Sequence, residues 1–417
     1  MSFLDFLLFL SGIVFLVGFL VTFFVFLVFL FSFFVPKNRF SKSFSAPVSV
    51  IVPAFNSGKT IAECLESVFS SGHRDLQVIV VDDGSTDDSV RIARGFRRVK
   101  IVEMKHGGKV SALNEGLKHA RHEFVLTLDS DTFLEEGFFE KSLFFFSDKK
   151  VGAVCGLVKV FPKKGLLNLF LRVEYLYNHL LMKSFSEVFS NSVWFFGGVS
   201  IYRKSVLEKI GFFRGNTLSE DLLVALEIKK AGFKVLHASN ASVLTIVPND
   251  LRGLFSQRRR WWLGSFQAIL FSKIEISFSQ NPAVIFLFFN QLWWSFYSIV
   301  CFPVLFFLIW YWFPFGNTSE ILFYLFRWFS LLGPLYYVYK IPEWGLSFVA
   351  VFGVASALLS SFLLFVSGIV FRAKIDFGFL FALFFYFPYA LLMNLFVVLS
   401  VLSVFFYRLR GKSVGWS

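Results

Sequence analysis

Long apolar runs at both ends of the chain enclose a more polar middle. No ionisable residue occurs from Phe6 to Val35, a run of 30 residues. As a helix rising about 1.5 Å per residue, this run would reach about 45 Å, whereas a bilayer core is about 30 Å thick. A cleaved signal peptide fits less well, because its apolar core has only about 7 to 15 residues. The run therefore predicts a tilted transmembrane helix within residues 1–35.

The apolar pattern returns in the last third of the chain. Each of four runs is long enough for a spanning helix, although Arg327 makes the second run the weakest candidate. Pro303 and Pro388 are expected to kink the first and the last run. The pattern predicts about four helices over 283–407 and about five spans in the whole chain. The four runs are residues 283–313, 321–339, 345–371 and 377–407.

Charged residues are concentrated between these two apolar parts. Residues 36–265 have the composition of one water-soluble domain, and residues 266–282, with Lys273 and Glu275, fit an interfacial amphipathic segment. Basic residues follow the first and the last apolar run, which places the soluble domain and a tail over 408–417 in the cytoplasm. These basic residues are Lys37, Arg39 and Lys42, then Arg408, Arg410 and Lys412.

The number of spans decides which other basic residues lie outside. Five spans satisfy both basic flanks but leave Arg372 and Lys374 on the outer side, against the positive-inside rule. With four spans, without the run that contains Arg327, Arg372 and Lys374 lie inside. The conflict then moves to Arg408, Arg410 and Lys412, which lie outside.

Within the soluble domain, short apolar runs flank a helical pattern. Val48–Val52 and Gln77–Val81 are rich in β-branched residues, and Thr60–Phe69 between them has helical periodicity. Phe124–Leu128 forms a third run. The strand-helix-strand order predicts parallel strands joined by right-handed crossovers, with helices on both faces of a mixed, mostly parallel sheet. Sheets of this kind bind ligands at the carboxyl ends of their strands.

Each predicted strand ends in a polar loop. The first loop is residues 54–58, and the second, residues 82–87, begins with two aspartates. The third begins with Asp129 and Asp131, whose carboxylates can reach one cation together. Oxygen ligands of this kind suit Mg²⁺ or Mn²⁺, which would bridge the protein to a diphosphate. Taken alone, the two residues can equally form a turn and a helix N-cap.

Seven stretches of the chain form a recognisable combination. They are VSVIVPAFN (48–56), VIVVDDGSTDDS (78–89), HGGKVSALNEGL (106–117), LTLDSDT (126–132), FFGGVSIYRKSVL (195–207), LSEDLLVALEIKKAGFKV (218–235) and TIVPNDLRGLFSQRRRWWLG (245–264). In this combination the chain resembles family 2 glycosyltransferases of the GT-A fold. It is most similar to the membrane-integrated processive synthases of poly-N-acetylglucosamine, chitin oligosaccharides, hyaluronan and cellulose. The resemblance implies an α/β GT-A domain inserted between transmembrane helices.

The resemblance also implies a site for a UDP-sugar. It assigns the uracil-binding role to Asp83, helped by Asp82, and a contact with the nucleotide or its phosphates to Lys109. Asp129 would lie beside the diphosphate, and Asp131 would be the principal metal ligand. The implied nucleotide-binding residues are Pro53, Ala54, Asn56, Asp82, Asp83, Lys109 and Asp129.

Two positions depart from the family pattern. Ser57 stands where the family often has a carboxylate, and His106 stands where it often has asparagine. Both lie in loops to which nucleotide contacts are assigned.

On the acceptor side, the resemblance implies an acidic pair, Glu220 and Asp221, with Asp221 as general base. A carboxylate within hydrogen-bond reach can take the proton of an acceptor hydroxyl that attacks the anomeric carbon. A single displacement on an α-linked donor inverts the configuration and gives a β-linkage. Gly197 and Gly198 match the small-residue loop that lets the acceptor approach closely.

The run QRRRW, which begins at Gln257, joins this site to the membrane part. The family pattern singles out Gln257, Arg260 and Trp261, which lie at i, i+3 and i+4 on one helical face. It implies sugar stacking on Trp261 and a diphosphate contact by Arg260. Arg258 and Arg259 are then expected to point elsewhere, toward lipid. A basic and aromatic helix that only reaches toward lipid headgroups is the alternative.

Composition agrees with an integral membrane protein. Hydrophobic residues make up 56% of 417, and 63 residues are phenylalanine, far from a soluble average. The net charge of +13 is explained first by membrane topology and an anionic lipid surface, and second by phosphorylated substrates. No nucleic acid is expected as a partner, because no recognisable binding module occurs.

The predicted protein is therefore a multi-pass cell-membrane glycosyltransferase with a cytoplasmic catalytic domain. It transfers sugar from a UDP-sugar, preferably UDP-N-acetylglucosamine, to the growing end of a β-linked polysaccharide, processively and with translocation. Asn290, Gln291 and Asn394 are candidates for lining the polymer path or for packing between helices. The alternatives are a non-processive enzyme that glycosylates a polyprenyl phosphate and a non-catalytic scaffold. Accessory subunits and oligomeric state are left open.

Overall fold

The computed structural model describes residues 3–36, 40, 44–192, 194–215, 217–274 and 282–409. A long apolar helix, α1 (Phe3–Ser32), precedes an α/β domain. The strands of that domain are β1 (Val48–Ala54), β2 (Leu76–Asp82), β3 (Val99–Glu103), β4 (Phe124–Leu128), β5 (Thr132–Leu134), β6 (Val151–Val160), β7 (Val199–Arg203) and β8 (Lys234–Thr245). Its helices are α2 (Ile61–Phe69), α3 (Ser89–Arg94), α4 (Lys109–His119), α5 (Phe138–Leu143), α6 (Leu166–Phe189), α7 (Lys204–Ile210), α8 (Glu220–Lys230) and α9 (Leu251–Ser272), with a 3₁₀ turn at Phe144–Ser147. The helices that follow are α10 (Pro282–Tyr311), α11 (Thr318–Trp328), α12 (Leu332–Trp344), α13 (Phe348–Val370), α14 (Phe377–Phe384) and α15 (Tyr386–Leu409).

The strands of the described chain form one mixed sheet in the order β3-β2-β1-β4-β7-β6-β8-β5. β1 pairs in parallel with β2 and β4, and β2 pairs in parallel with β3. The predicted parallel strands are therefore confirmed. β7 is antiparallel to both β4 and β6, which makes the sheet mixed. The predicted third strand is in fact the fourth, because the edge strand β3, with Lys100 and Glu103 exposed, precedes it.

Side chains of the central strands alternate between two apolar cores. Val50 and Val52 of β1 point into the core that contains α2, whereas Ile51 points into the core that contains α4. Strands buried on both faces read as continuous apolar runs, which is why β1, β2 and β4 were visible in the sequence. Helices on both faces of the sheet are therefore confirmed.

In the described part of the chain, four helices are long and apolar enough to cross a membrane: α1, α10, α13 and α15. The run with Arg327 forms α11 and α12, which are bent by 108° and would be a fifth span only if counted together. Tyr311, at the end of α10, and Phe348, at the start of α13, line one cavity with Leu8 of α1. The α11–α12 pair therefore starts and finishes at the same end of α1. This is the geometry of a re-entrant hairpin and favours the four-span alternative.

Several residues used to predict orientation lie outside the described residues: Lys37, Arg39, Lys42, Arg410 and Lys412. Glu275 of the predicted interfacial segment also lies outside them. The predicted boundary at residue 265 falls inside a continuous helix, because α9 runs from Leu251 to Ser272. The QRRRW run and the start of the predicted interfacial segment thus form one rigid element.

A proline explains where the last apolar run breaks. Pro388 has no N–H to donate to the carbonyl of Phe384, four residues earlier. That carbonyl accepts instead from the backbone N–H of Leu331, at 2.9 Å. Leu331 lies at the bend between α11 and α12, so two interrupted helices meet there. Pro303, by contrast, lies within a single helix, α10.

Polar side chains in the apolar helices pair with other groups of the protein. Asn290 Oδ1 accepts from an indole N–H of its own helix at 2.9 Å. Gln291 Nε2 donates to the carbonyl of Trp262 at 3.3 Å, and Ser298 Oγ donates to Asn394 Oδ1 at 3.1 Å. These contacts agree with the alternative in which the residues pack between helices. Their role in lining a polymer path stays a prediction.

Gly116 sets how closely α4 packs on the sheet. A Cβ at this position would lie 2.5 Å from Ile51 Cγ2 and 3.2 Å from Val81 Cγ2. Overpacking costs about 1–3 kcal/mol, against about 1 kcal/mol that alanine gains over glycine in a helix. We expect Gly116→Ala to lower the thermal unfolding midpoint of the protein in nanodiscs.

Gly215→Ala is the matched control, since a Cβ there meets Val110 only at 3.8 Å. An unfolding midpoint for Gly116→Ala equal to that of the control would contradict the packing assigned to α4.

Candidate active site

Hydrogen bonds between loops fix the carboxyl end of the sheet. Asn56, just after β1, has a φ of 49° and accepts from the Thr86 N–H at 2.8 Å through Oδ1. The Ser57 N–H donates to Ser89 Oγ at 2.7 Å, and the hydroxyls of Ser57 and Ser130 lie 2.7 Å apart. The three predicted loops are therefore in contact. Ser57, where the family often has a carboxylate, links the first loop to the third.

The end of β1 and the ring that follows it form one wall of this region. Pro53 and Ala54 are the last residues of β1, and the Ala54 carbonyl accepts from the Asp83 N–H at 2.9 Å. The exposed ring of Phe55 lies beside the ring of His106, with centroids 4.4 Å apart and planes 30° apart. Two nearly parallel rings thus stand at the edge of the first two loops.

Asp82 and Asp83 are both buried but hold different partners. The carboxylate oxygens of Asp83 accept from the N–H groups of Gly107 and Gly108 at 2.7 and 2.9 Å, and His106 Nδ1 lies 2.9 Å from Asp83 Oδ2. Among the described residues, Asp82 Oδ1 has no hydrogen-bond partner. Asp83 therefore anchors the loop before α4, and Asp82 offers the unused acceptor. The uracil-binding role of Asp83 stays a prediction.

Asp129 and Asp131, after β4, line a common cavity. Burial raises the pKa of Asp131 to about 6, and the negative charge of Asp129 adds to the rise. A divalent cation would offset this charge. The described residues contain no group of three His, Cys, Asp or Glu side chains that could hold a metal ion. Two carboxylates in one cavity fit a cation such as Mg²⁺, which binds one or two carboxylates and completes its shell with water and phosphate oxygens.

Lys109 bridges two carboxylates that are far apart in the sequence. Its Nζ lies 2.6 Å from Asp129 Oδ1 and 3.3 Å from Glu220 Oε1. Burial acts to lower the pKa of Lys109, but the charges of Asp129 and Glu220 outweigh it and hold the pKa above its ordinary value. The side chain is therefore a cation fixed at the start of α4, between the loop after β4 and the start of α8.

The glycine pair before β7 packs directly against both sets of acids. The Gly197 N–H donates to Asp221 Oδ2 at 2.9 Å, and the Gly198 carbonyl accepts from the Asp129 N–H at 2.9 Å. A Cβ on Gly197 would lie 2.3 Å from Asp221 Cβ, and one on Gly198 would lie 2.6 Å from Asp129 Oδ2. Both positions therefore require glycine, because any larger side chain would collide with Asp221 or Asp129. Close approach of an acceptor to this loop stays a prediction.

Asp221 is a buried acid with a raised pKa. Burial raises its pKa to about 6, and the negative charge of Glu220 adds to the rise. The hydrogen bond from Gly197 opposes this shift. A carboxylate with a pKa near 6 is ionised at neutral pH and is a stronger base than a free aspartate.

The aromatic wall of the cavity comes from α9, α6 and the loop before β7. Gln257, Arg260 and Trp261 all line the cavity, as the i, i+3, i+4 spacing predicts. The Trp261 ring lies 5.8 Å from the ring of Phe196, edge to face, and 6.2 Å from the ring of Tyr175. Tyr175 and Phe196 were not predicted; for Tyr175, nothing in a local spacing brings α6 to this wall.

The prediction that Arg258 points toward lipid is wrong. Its Nη2 lies 2.8 Å from Glu174 Oε2 of α6, and both side chains are 13% exposed. Its guanidinium lies 4.6 Å above the ring of Trp261. Arg259 Nε donates to Ser403 Oγ of α15 at 3.2 Å, so it too contacts protein.

One cavity of about 340 Å³ is lined by Lys109, Asp129, Asp131, Gly197, Gly198, Glu220, Asp221, Gln257, Arg260 and Trp261, whereas the predicted nucleotide-binding residues Pro53, Ala54, Asn56, Asp82 and Asp83 do not line it. It combines two acidic side chains suited to a cation, a fixed amine, a buried carboxyl group with a raised pKa and an aromatic wall. This arrangement can hold an anionic leaving group on one side and a hydroxyl nucleophile on the other, which suits group transfer.

The family comparison agrees with this arrangement. Residues 49–211 match the model of glycosyl transferase family 2. The chain carries a family 2 glycosyl transferase domain. Asp83, Lys109 and Asp131 lie within the matched residues, whereas Asp221 and Trp261 lie beyond them.

Two curated relatives extend the likeness past the matched residues. The poly-β-1,6-N-acetyl-D-glucosamine synthase of Staphylococcus epidermidis (strain RP62A) is 28% identical over 229 residues, which are 54% of this chain and 55% of that protein. The synthase of the same name from Staphylococcus aureus (strain COL) is 25% identical over equal shares. The chain thus spans about half the length of the curated relatives it matches.

A solved structure shares the fold over nearly the whole chain. A mannosyltransferase from Pyrobaculum calidifontis, in complex with GDP-Man and Mn²⁺, aligns with a TM-score of 0.58 at 18% identity. The alignment covers 94% of this chain and 98% of the other. It therefore supports a GT-A domain combined with apolar helices.

Gly197→Ala tests the packing of Asp221, the predicted general base. The new Cβ would displace Asp221, and a misplacement of about 1 Å at a reacting group can cost about 10²-fold in rate. We expect glycosyl transfer to fall by about that factor, measured as release of nucleoside diphosphate.

Gly215→Ala again serves as control, and thermal unfolding shows whether either variant loses its fold. A folded Gly197→Ala protein with the wild-type rate would contradict the geometry assigned to Asp221.

Proposed function

We propose that this chain is a membrane-bound, inverting glycosyltransferase that extends a β-linked polysaccharide from a UDP-sugar, with UDP-N-acetylglucosamine as donor. The observation that carries the proposal is the single cavity that places Asp129, Asp131, Asp221 and Trp261 around one space. The relatives named as poly-β-1,6-N-acetyl-D-glucosamine synthases support the choice of sugar and a polymeric product.

The nucleotide would lie against the loops after β1 and β2. The paired rings of Phe55 and His106 provide a surface on which a base can stack. Asp82 Oδ1, which is buried and has no partner in the described chain, would accept from a base N–H. Asp83 would hold the loop that carries Lys109 beside the diphosphate.

A divalent cation, Mg²⁺ or Mn²⁺, would be held by Asp131 together with Asp129. When bound, it supplies Lewis-acid stabilisation of the charge that develops on the departing diphosphate. Lys109 and Arg260 line the same cavity and add two positive charges from the protein. The leaving group would thus be stabilised from both α4 and α9.

Asp221 would act as the general base. The acceptor hydroxyl oxygen bonds to the anomeric carbon while the bond from that carbon to the diphosphate breaks, and the nucleoside diphosphate leaves with the electron pair. Asp221 takes the hydroxyl proton, and its orientation is set by the Gly197 N–H. Attack from the face opposite the diphosphate turns an α-linked donor into a β-linkage.

The acceptor end would stack on the aromatic wall formed by Trp261, Phe196 and Tyr175. Gln257 Oε1, buried and without a partner in the described chain, would accept from a sugar hydroxyl. A site that retains the acceptor end after each transfer makes the enzyme processive. With the positive-inside orientation, the catalytic domain is cytoplasmic and the polymer passes outward along the apolar helices.

The test is to incubate the full chain in nanodiscs with Mn²⁺ or Mg²⁺ and individual UDP-sugars, recording UDP release and product length together. We expect UDP-N-acetylglucosamine to be turned over and a high-molecular-mass product to form. Chelation should stop both, and adding the metal back should restore both.

Asp221→Asn, which keeps the size of the side chain, should lose about 10²–10⁴-fold in transfer rate while still binding UDP. Turnover that yields only a singly glycosylated lipid would support the polyprenyl-phosphate class instead. UDP release that is unchanged in Asp221→Asn would refute the role of Asp221.

The pH dependence of the rate follows from the pKa of Asp221. A general base must be ionised, so activity should fall as pH drops through about 6, by about tenfold per pH unit below it. The measurement is the initial rate at saturating donor between about pH 4.5 and 8, a range that includes the expected pKa.

Asp131 titrates in the same range, so the profile is repeated at two metal concentrations. An acidic limb that belongs to the metal ligands moves with metal concentration, whereas a limb that belongs to Asp221 stays in place. A limb that moves fully with metal would reject the assignment to the base.

A further inference from the structure

Arg258 belongs to a buried ion pair next to the aromatic wall. Its Nη2 contacts Glu174 Oε2 at 2.8 Å, and both side chains are 13% exposed. In the described chain, its Nε has no hydrogen-bond partner. The guanidinium lies instead over the Trp261 ring, 4.6 Å from the ring centroid. Arg258 thus contacts a cavity-lining residue without lining the cavity itself.

Glu174 also holds a residue of the apolar helices. The Tyr389 hydroxyl, on α15, donates to the same oxygen, Glu174 Oε2. The Tyr389 ring stacks on Phe170 of α6, with centroids 5.1 Å apart and planes 2° apart. One carboxylate of α6 therefore joins a cation of α9 to a hydroxyl of α15.

This network bears directly on the orientation of Trp261. Arg258 covers one face of the indole ring, while Phe196 meets it edge to face and Tyr175 lies at 51° to it. A ring held on these sides has little freedom to rotate. The same residue lines the cavity.

Stability alone does not account for such a pair. Taking two charges out of water costs about as much as their attraction returns, and apolar replacements of similar volume are often as stable. What an ion pair adds over an apolar contact is a fixed direction, because the carboxylate determines where the guanidinium lies. Here that direction points the guanidinium at the Trp261 ring.

We propose that Arg258, held by Glu174 and Tyr389, is a positioning residue that sets the orientation of Trp261 at the acceptor subsite and links helix α15 to retention of the acceptor end. The proposal rests on the proposed function for the identity of the acceptor. It separates two properties of the enzyme: handling of the donor depends on the carboxylates, and retention of the acceptor depends on this network.

The test uses Arg258→Gln in the full chain, in nanodiscs, with UDP-N-acetylglucosamine and an N-acetylglucosamine oligosaccharide as acceptor. We expect the KM for the oligosaccharide to rise about tenfold, since a desolvated cation–π contact is lost, and the product to become shorter. UDP affinity and UDP release without acceptor should stay at wild-type values.

Two further variants remove the contacts more gently. Tyr389→Phe deletes one hydroxyl and keeps the ion pair, and the double variant Glu174→Gln with Arg258→Gln leaves no unpaired buried charge. Both should shift the acceptor KM and product length in the same direction. Adding Arg258→Gln to Trp261→Ala should give no further shift, because Arg258 acts through a ring that this background lacks.

Arg259→Gln is the matched control. It removes a neighbouring arginine of α9 that also contacts α15, through Ser403, but not one that lies over Trp261. Wild-type acceptor KM and product length in Arg258→Gln and the double variant would overturn the proposal. An equal effect of Arg259→Gln would also overturn it, because loose attachment of α9 would then be the cause.

A second readout does not require turnover. The difference in tryptophan fluorescence between each protein and its Trp261→Phe counterpart reports on Trp261 alone. Arg258→Gln should increase quenching of this difference signal by acrylamide, and Arg259→Gln should not. An unchanged signal overturns the positioning role, whereas a wild-type protein that turns over no donor refutes only the proposed function.

Discussion

The ion pairs of Lys109 hold the two halves of the active site together. Asp129 follows β4 at the carboxyl end of the sheet, and Glu220 is the first residue of α8. Lys109 Nζ contacts both carboxylates from the start of α4. The positive charge of Lys109 partly offsets the two negative charges. Removing the lysine would therefore leave two acids facing each other across the cavity. Lys109 therefore helps to set the distance between Asp129 and Glu220.

The position of Lys109 depends in turn on the packing of α4. Gly116 lets the helix lie against Ile51 of β1, and Asp83 fixes the loop before it through the Gly107 and Gly108 amides. Close helix–sheet packing and a buried carboxylate thus act on the same element from its two ends. The consequence is a cation whose place is set by the sheet rather than by a flexible loop.

Much of this could be read from the sequence, for a physical reason. Strands β1, β2 and β4 are buried on both faces, so they appear as continuous apolar runs, and their polar ends follow at once along the chain. The acids in these ends could therefore be named. The edge strand β3 was missed because Lys100 and Glu103 interrupt its apolar pattern.

What could not be read is contact between distant segments. Helical spacing shows that Gln257, Arg260 and Trp261 share a face, but it does not show what the remaining faces meet. Arg258 looked like a lipid-facing charge, although Glu174, 84 residues earlier, pairs with it. Tyr175 was missed at the aromatic wall for the same reason.

The two-residue loop of Gly197 and Gly198 brings the two ends of the reaction into mechanical contact. The Gly197 N–H donates to the carboxylate of Asp221, and the Gly198 carbonyl accepts from the Asp129 N–H. Neither glycine has room for a Cβ, so the loop cannot shift without moving one acid or the other. A ligand that displaced Asp129 would therefore act on the loop that holds Asp221. Such coupling requires no long pathway, because both contacts are made within one peptide unit of each other.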